Sequence, residues 1–95
     1  MASAIASTQT HAPRAAARAS ARSERLRARA IEVLALTPSG LTADEIAAKL
    51  DESVLAVRPR VSELFHAGAI EKTGDRRPNA SGLPAHVWKK TAAGA

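Results

Sequence analysis

The side chains best equipped for recognition chemistry in this sequence are arginines, and they fall in two clusters. Arg58 and Arg60 bracket Pro59 within a series of apolar residues, while Arg76 and Arg77 stand side by side in a stretch rich in Gly, Pro, Asn and Ser. A guanidinium presents a planar fork of N–H donors that fits phosphate oxygens, or the O6 and N7 edge of a guanine. Leu55 and Ala56, just ahead of the first cluster, could touch a thymine methyl, and Ser62 could bond either a base edge or a phosphate. Asn79 and Ser81 add small polar groups suited to phosphate oxygens beside the second cluster.

Other chemistries find no foothold. His11, His66 and His86 have no spacing suited to metal ligation, so no metal site is expected. With no cysteine the chain has no thiolate ligand, nucleophile or disulfide. No glycine-rich phosphate loop follows a strand and no paired carboxylates stand out, so neither a catalytic centre nor a cofactor is expected. No apolar run approaches the roughly 20 residues of a membrane span.

These arginines need elements to hold them, and the hydrophobic pattern supplies candidates. Leu26, Ala30, Val33 and Leu34 recur at helical spacing and stop before Thr37-Pro38-Ser39-Gly40, which predicts a first helix over 23–36. In Thr42-Ala43-Asp44-Glu45 the threonine can cap helix amides while Glu45 reaches back to the Thr42 amide, with Leu41 and Ile46 placed as a hydrophobic staple. A second helix therefore starts at Ala43 and ends near Asp51. Val54, Val57, Val61, Leu64 and Phe65 then follow one face of a third helix, 54–67, with Gly68 suited to the left-handed position beyond its end.

On a 100-degree wheel that third helix buries Val57, Val61 and Leu64 and turns Leu55, Ala56, Pro59, Ser62, Glu63 and His66 outward, with Arg58 and Arg60 on the flanks. Pro59 removes the N–H that would bond the Leu55 carbonyl, at a cost of about 3 kcal/mol. The helix is expected to continue past it with a slight bend; the alternative is a single turn at 54–57 followed by a helix starting at Pro59. After Gly68 the period falls to two, and 69–73 and 85–90 read as strands of a hairpin whose long tip, 75–82, carries Arg76 and Arg77. Alternation lets only one of Val87 and Trp88 face the core fully.

Charge is unevenly placed. Of the net +5, residues 1–22 carry +3, residues 23–52 carry −2 and residues 53–95 carry +4. Residues 1–22 hold no acidic side chain and are expected to form a disordered arm, or a helix with Arg14, Arg18, Arg22, Arg25 and Arg29 on one stripe. That start also resembles an organellar transit peptide. Residues 92–95 read as a flexible tail.

Helix, short turn, helix and basic hairpin make residues 41–64, together with Ala67-Gly68-Ala69-Ile70 and the segment beyond, resemble the winged helix-turn-helix superfamily. The chain is similar in particular to small bacterial and phage regulators whose third helix carries a Val-Arg-Pro-Arg-Val-Ser-Glu-Leu segment. The resemblance covers about residues 24–91 and implies an α+β fold: a three-helix winged helix-turn-helix domain over 23–91 with a C-terminal hairpin wing. It implies a sequence-specific partner in double-stranded DNA, with helix 54–67 in the major groove and wing 71–88 on the backbone or in the minor groove. A cytoplasmic, nucleoid-associated transcription regulator is expected on this reading, with any homodimer formed through the first helix or the arm. A protein-interaction module anchored by Leu55 and Leu83, and a non-specific architectural DNA binder working through its arm, are the alternatives. The stretch 83–89 also resembles, faintly, winged domains that grip left-handed duplexes. Those need an asparagine and a tyrosine where Arg58 and Ser62 stand, so Trp88 is read as a packing residue bracing the wing.

Overall fold

The computed structural model describes residues 2–94, and the side-chain environments of residues 17–93. Expectations that rest on the side chains of His11 and Arg14, and on Met1 and Ala95, lie outside the described residues. Helix α1 spans Ala2–Ala35, α2 Ala43–Leu50 and α3 Val54–His66; strands β1, Ile70–Pro78, and β2, Pro84–Lys90, follow as an antiparallel hairpin, and a 3-10 turn occupies Ala92–Gly94. This is the three-helix and wing order of a winged helix-turn-helix.

Helix α1 turns one face to the body, burying Leu26, Ala30 and Leu34. Residues 17–22, expected in an arm either disordered or helical, continue this helix with their side chains largely exposed. The helix ends where Thr37 Oγ1 donates to the Val33 carbonyl at 2.9 Å, ahead of the turn closed by Gly40. Helix α2 opens with both halves of the capping box: the Thr42 amide donates to Glu45 Oε1 at 2.8 Å, and the Glu45 amide donates to Thr42 Oγ1 at 3.1 Å. The staple partners Leu41 and Ile46 are both buried. Two residues beyond Asp51, Ser53 caps α3 by accepting from the Ala56 amide.

The core forms where these helices meet the hairpin. Ile46, Ala47 and Leu50 from α2 pack with Val57, Val61 and Leu64 from α3, and Ile70 closes the far end. Each large aliphatic side chain so buried contributes about 1.5–3 kcal/mol. Val87 takes the fully buried position on β2, while Trp88 stays half-buried and packs against the edge of the core. Phe65, expected on the apolar face of α3, lies at that face's wing-side edge against Trp88 and stays 37% exposed.

Two features of the wing differ from the sequence expectation. Leu41 pairs with Trp88 through reciprocal backbone bonds of 2.9 and 2.8 Å, adding a one-residue third strand to the hairpin. A single apolar residue between a turn and a helix cap carries no period, so no pattern marks it. Strand β1 also runs to Pro78, because a bulge sets Thr73, Gly74 and Asp75 opposite the single residue Val87 and pairing then resumes at Arg76 with His86. The tip therefore shrinks from the expected 75–82 to the turn after Pro78, and Arg76 and Arg77 become strand residues that point to opposite faces.

Candidate functional site

Helix α3 runs unbroken through Pro59, as expected, and presents an inner strip, an opposite strip and two flanks. The inner strip is Val57, Val61 and Leu64. The opposite strip, exposed throughout, consists of Leu55, Pro59, Ser62 and His66, and Leu55 is 84% accessible. Between them lie two flanks. On one flank Phe65 meets Trp88 of the wing and Arg58 reaches Asp44 of α2; on the other Arg60 and Glu63 bond Ser23 and Arg27 of α1.

The two arginines of the Arg-Pro-Arg segment are therefore on different sides, and their surroundings differ accordingly. Arg60 turns toward α1 and is engaged at all three nitrogens: Nε and Nη2 donate to the two carboxylate oxygens of Glu63 at 2.7 and 2.9 Å, and Nη1 donates to Ser23 Oγ at 2.7 Å. Its side chain is only 19% exposed. Glu63 also accepts from Arg27 of α1 at 2.8 Å. The hydrogen bonds from Arg27 and then Arg60 hold the Glu63 carboxyl below its ordinary value. Arg58, by contrast, makes one bond, from Nη2 to Asp44 Oδ1 at 3.0 Å, and leaves 53% of its side chain accessible.

The wing repeats this division. Arg77 turns inward, where Nη2 donates to Glu45 Oε1 at 2.6 Å and to the Gly40 carbonyl at 2.9 Å, so strand β1 is tied to the start of α2. Burial alone would raise the Glu45 carboxyl, but the Thr42 amide and the Arg77 guanidinium outweigh it and the net direction is down. Arg76 is exposed across from His86. Partial burial, then the charges of Lys72 and Arg76, push the His86 imidazole below its ordinary value.

Asn79 shapes the tip rather than standing free in it. Its Oδ1 accepts from the Ser81 amide at 3.1 Å, the Ser81 hydroxyl at 2.6 Å and the Leu83 amide at 3.1 Å. Its backbone closes the turn through Asn79 N–H to the Leu83 carbonyl and Gly82 N–H to the Asn79 carbonyl. Ser81 stays exposed at the apex.

The predicted site residues thus separate into two groups. Leu55, Arg58, Pro59, Ser62, Arg76 and Ser81 are exposed, and Ala56 and Asn79 are half-buried beside them; Arg60 and Arg77 are held by carboxylates. Among the described residues, two arginines of the stripe bond the protein body. Arg22 donates to Glu52 at 3.0 Å, and Arg29 donates to the Leu50 carbonyl at 2.9 Å, both at the turn between α2 and α3.

Four groups escaped the sequence reading: Asp44, Glu63 and Ser23 as arginine partners, and an aromatic cluster in which Phe65 meets Trp88 edge-on at 5.1 Å with Lys72 over its ring. The capping signature marked Glu45, but only for its local role. Among the described residues no three His, Asp or Glu side chains are placed to hold a metal ion, and no helix is long and apolar enough to cross a membrane.

No protein-family model and no curated protein matches the sequence. Among solved structures, the crystal structure of a MarR family transcription regulator matches with a TM-score of 0.55 and 28% identity, over 97% of this chain and 61% of that one. This chain thus spans about three-fifths of that protein's length, and the likeness extends across all the elements that carry the site.

Proposed function

We propose that the protein is a non-enzymatic regulator that binds double-stranded DNA, with the exposed strip of α3 in the major groove and the wing on the phosphate backbone or in the adjacent minor groove. The observation that carries this reading is the strip itself. Leu55, Pro59 and Ser62 stand exposed in a row on a helix whose other faces are occupied, with Arg58 beside them and Arg76 on the neighbouring wing. A helix buried on one side and carrying exposed small, apolar and cationic side chains on the other suits a groove about 12 Å wide. The solved protein it resembles is a transcription regulator, which supports the same reading.

Roles divide as the contacts do. Arg58 reads a base edge or anchors a phosphate, Leu55 and Ala56 meet thymine methyls, and Ser62 bonds the backbone. Arg76 holds a phosphate from the wing, and Asn79 keeps the tip in shape by accepting both donors of Ser81. Arg60 and Arg77 act indirectly, by fixing α3 to α1 and the wing to α2. The regulator is of the small bacterial or phage kind, acts on the nucleoid, and pairs with a second copy, if it pairs, through α1.

Fluorescence anisotropy with random and selected duplexes over a range of salt tests this. With about three to five phosphates neutralised, log affinity should fall against log salt with a slope on the order of −3 to −4.5. Arg76→Ala should reduce that slope by about 0.9 for every sequence. Arg58→Ala should cost about 1–3 kcal/mol on the preferred sequence and less on random DNA. Absence of salt-sensitive binding at low salt would overturn the proposal and favour a protein-interaction module using the exposed Leu55 and Leu83.

A further inference from the structure

A carboxylate sits where the two halves of the proposed interface meet. Asp44 belongs to the first turn of α2, where a negative charge is favoured by the exposed amides of the helix start. Its two oxygens point to different partners. Oδ1 accepts from Arg58 Nη2 of α3 at 3.0 Å, and Oδ2 accepts a longer bond, 3.4 Å, from the Ala80 amide at the wing tip. These partners lie 14 and 36 residues away in sequence. The carboxylate is 18% exposed and the Arg58 side chain 53%, so the acid is the sheltered member and the arginine the accessible one.

This placement is unfavourable for raw affinity, since an anion beside a phosphate-facing surface repels the ligand and its partner arginine must be shared. It is favourable for discrimination. An unrestrained arginine would swing to the nearest phosphate on any duplex, whereas one held by a sheltered carboxylate keeps its remaining donors aimed in one direction. The same carboxylate also ties the wing tip to α2, because the tip is internally organised by Asn79 and its Ala80 amide is bonded to Asp44.

Resting on the DNA-binding reading above, we propose that Asp44 is a specificity-determining positioning residue: it restrains Arg58 and the wing tip together, lowering affinity for arbitrary DNA and preserving preference for the right sequence. The test compares Asp44→Asn, Asp44→Glu, Arg58→Ala and the Asp44→Asn/Arg58→Ala double variant, each checked for folding by thermal melting, on a selected and a random duplex across salt. Asp44→Asn should bind random DNA roughly five-fold more tightly, matching the release of one exposed ion pair. Its salt slope should steepen by about 0.9, the signature of one more phosphate contact. The ratio of selected to random affinity should fall by a similar factor, while Asp44→Glu, which retains the acid, should stay close to the parent protein. In the Arg58→Ala background the gain on random DNA should vanish.

An equal gain in that background would show Asp44 acting as a bare charge and would overturn the proposal, as would Asp44→Asn binding both duplexes like the parent protein. Either result leaves DNA binding itself standing, whereas a parent protein that binds no duplex at low salt overturns both.

Discussion

A guanidinium carries five donors in a fixed plane, and the first carboxylate it meets decides how many remain for a partner. Arg60 has spent three of its donors, one from each nitrogen, on Glu63 and Ser23, while Arg58 has spent one on Asp44. Arg60→Ala should therefore reduce stability by about 1 kcal/mol and weaken binding to all duplexes alike, measured by urea unfolding and anisotropy. Arg58→Ala should leave the urea midpoint nearly unchanged. A second expectation concerns Glu45, whose carboxyl is held below its usual value of 4.5 by Thr42 and Arg77. A depressed folded pKa stabilises the protein above the unfolded value, and that contribution is lost as pH falls past 4.5 through the lower folded value. Urea midpoints should drop over that interval, and Glu45→Gln should flatten the drop while lowering the midpoint at neutral pH. Which residues face outward on α3 was legible from the wheel, because burial follows period. Which arginine is engaged was legible only in part: Arg60 and Glu63 stand at the i,i+3 spacing of a helical ion pair, but Ser23 lies 37 residues from Arg60 and Asp44 14 from Arg58, and no local pattern encodes those pairings.

At the scale of elements, two residues carry unusual constraints. Pro59 sits inside an unbroken helix, so the missing N–H and the ring's crowding of the preceding turn are tolerated rather than avoided. Pro59→Ala should restore the bond to the Leu55 carbonyl and raise stability by about 1–3 kcal/mol in urea unfolding. A loss instead would mean that the ring's restriction of the unfolded chain outweighs the missing bond. Gly40 is the opposite case. Its φ is +91°, and a Cβ there would lie 2.6 Å from the Trp88 carbonyl oxygen and 2.7 Å from a Val87 methyl. Gly40→Ala should cost about 2–4 kcal/mol and displace the Gly40 carbonyl that receives Arg77, loosening the wing as well. The three helices, the capping box and the hairpin were legible because each has a periodic or stereochemical signature. The bulge at Thr73, Gly74 and Asp75 was not, since its glycine and aspartate read equally well as a loop; that is why the strand arginines were expected in the tip.

For the whole molecule, the distribution of charge matters more than its total. The acidic stretch 23–52 supplies Asp44, Glu45 and Glu52, which together engage arginines from α1, α3 and the wing. Among the described residues Arg76 of the wing has no carboxylate partner, and Arg58 keeps about half of its side chain accessible beside it, so the field at that face favours a polyanion. A chain lacking residues 1–16 loses a single arginine, Arg14, and keeps every contact of α1 described above. It should bind with a salt slope reduced by no more than about 0.9, whereas an architectural binder working through its arm would lose most of its affinity.

The most direct test of the account is amide chemical-shift mapping of the isotopically labelled protein titrated with a duplex at low salt. The predicted result is a continuous footprint over Leu55, Arg58, Ser62 and the wing from Arg76 to Gly82, with the inward-facing core and the outer face of α2 around Ala48 and Lys49 unchanged. Shifts confined to α1, or a spectrum that the duplex leaves unaltered while the wing and α3 remain folded, would contradict it.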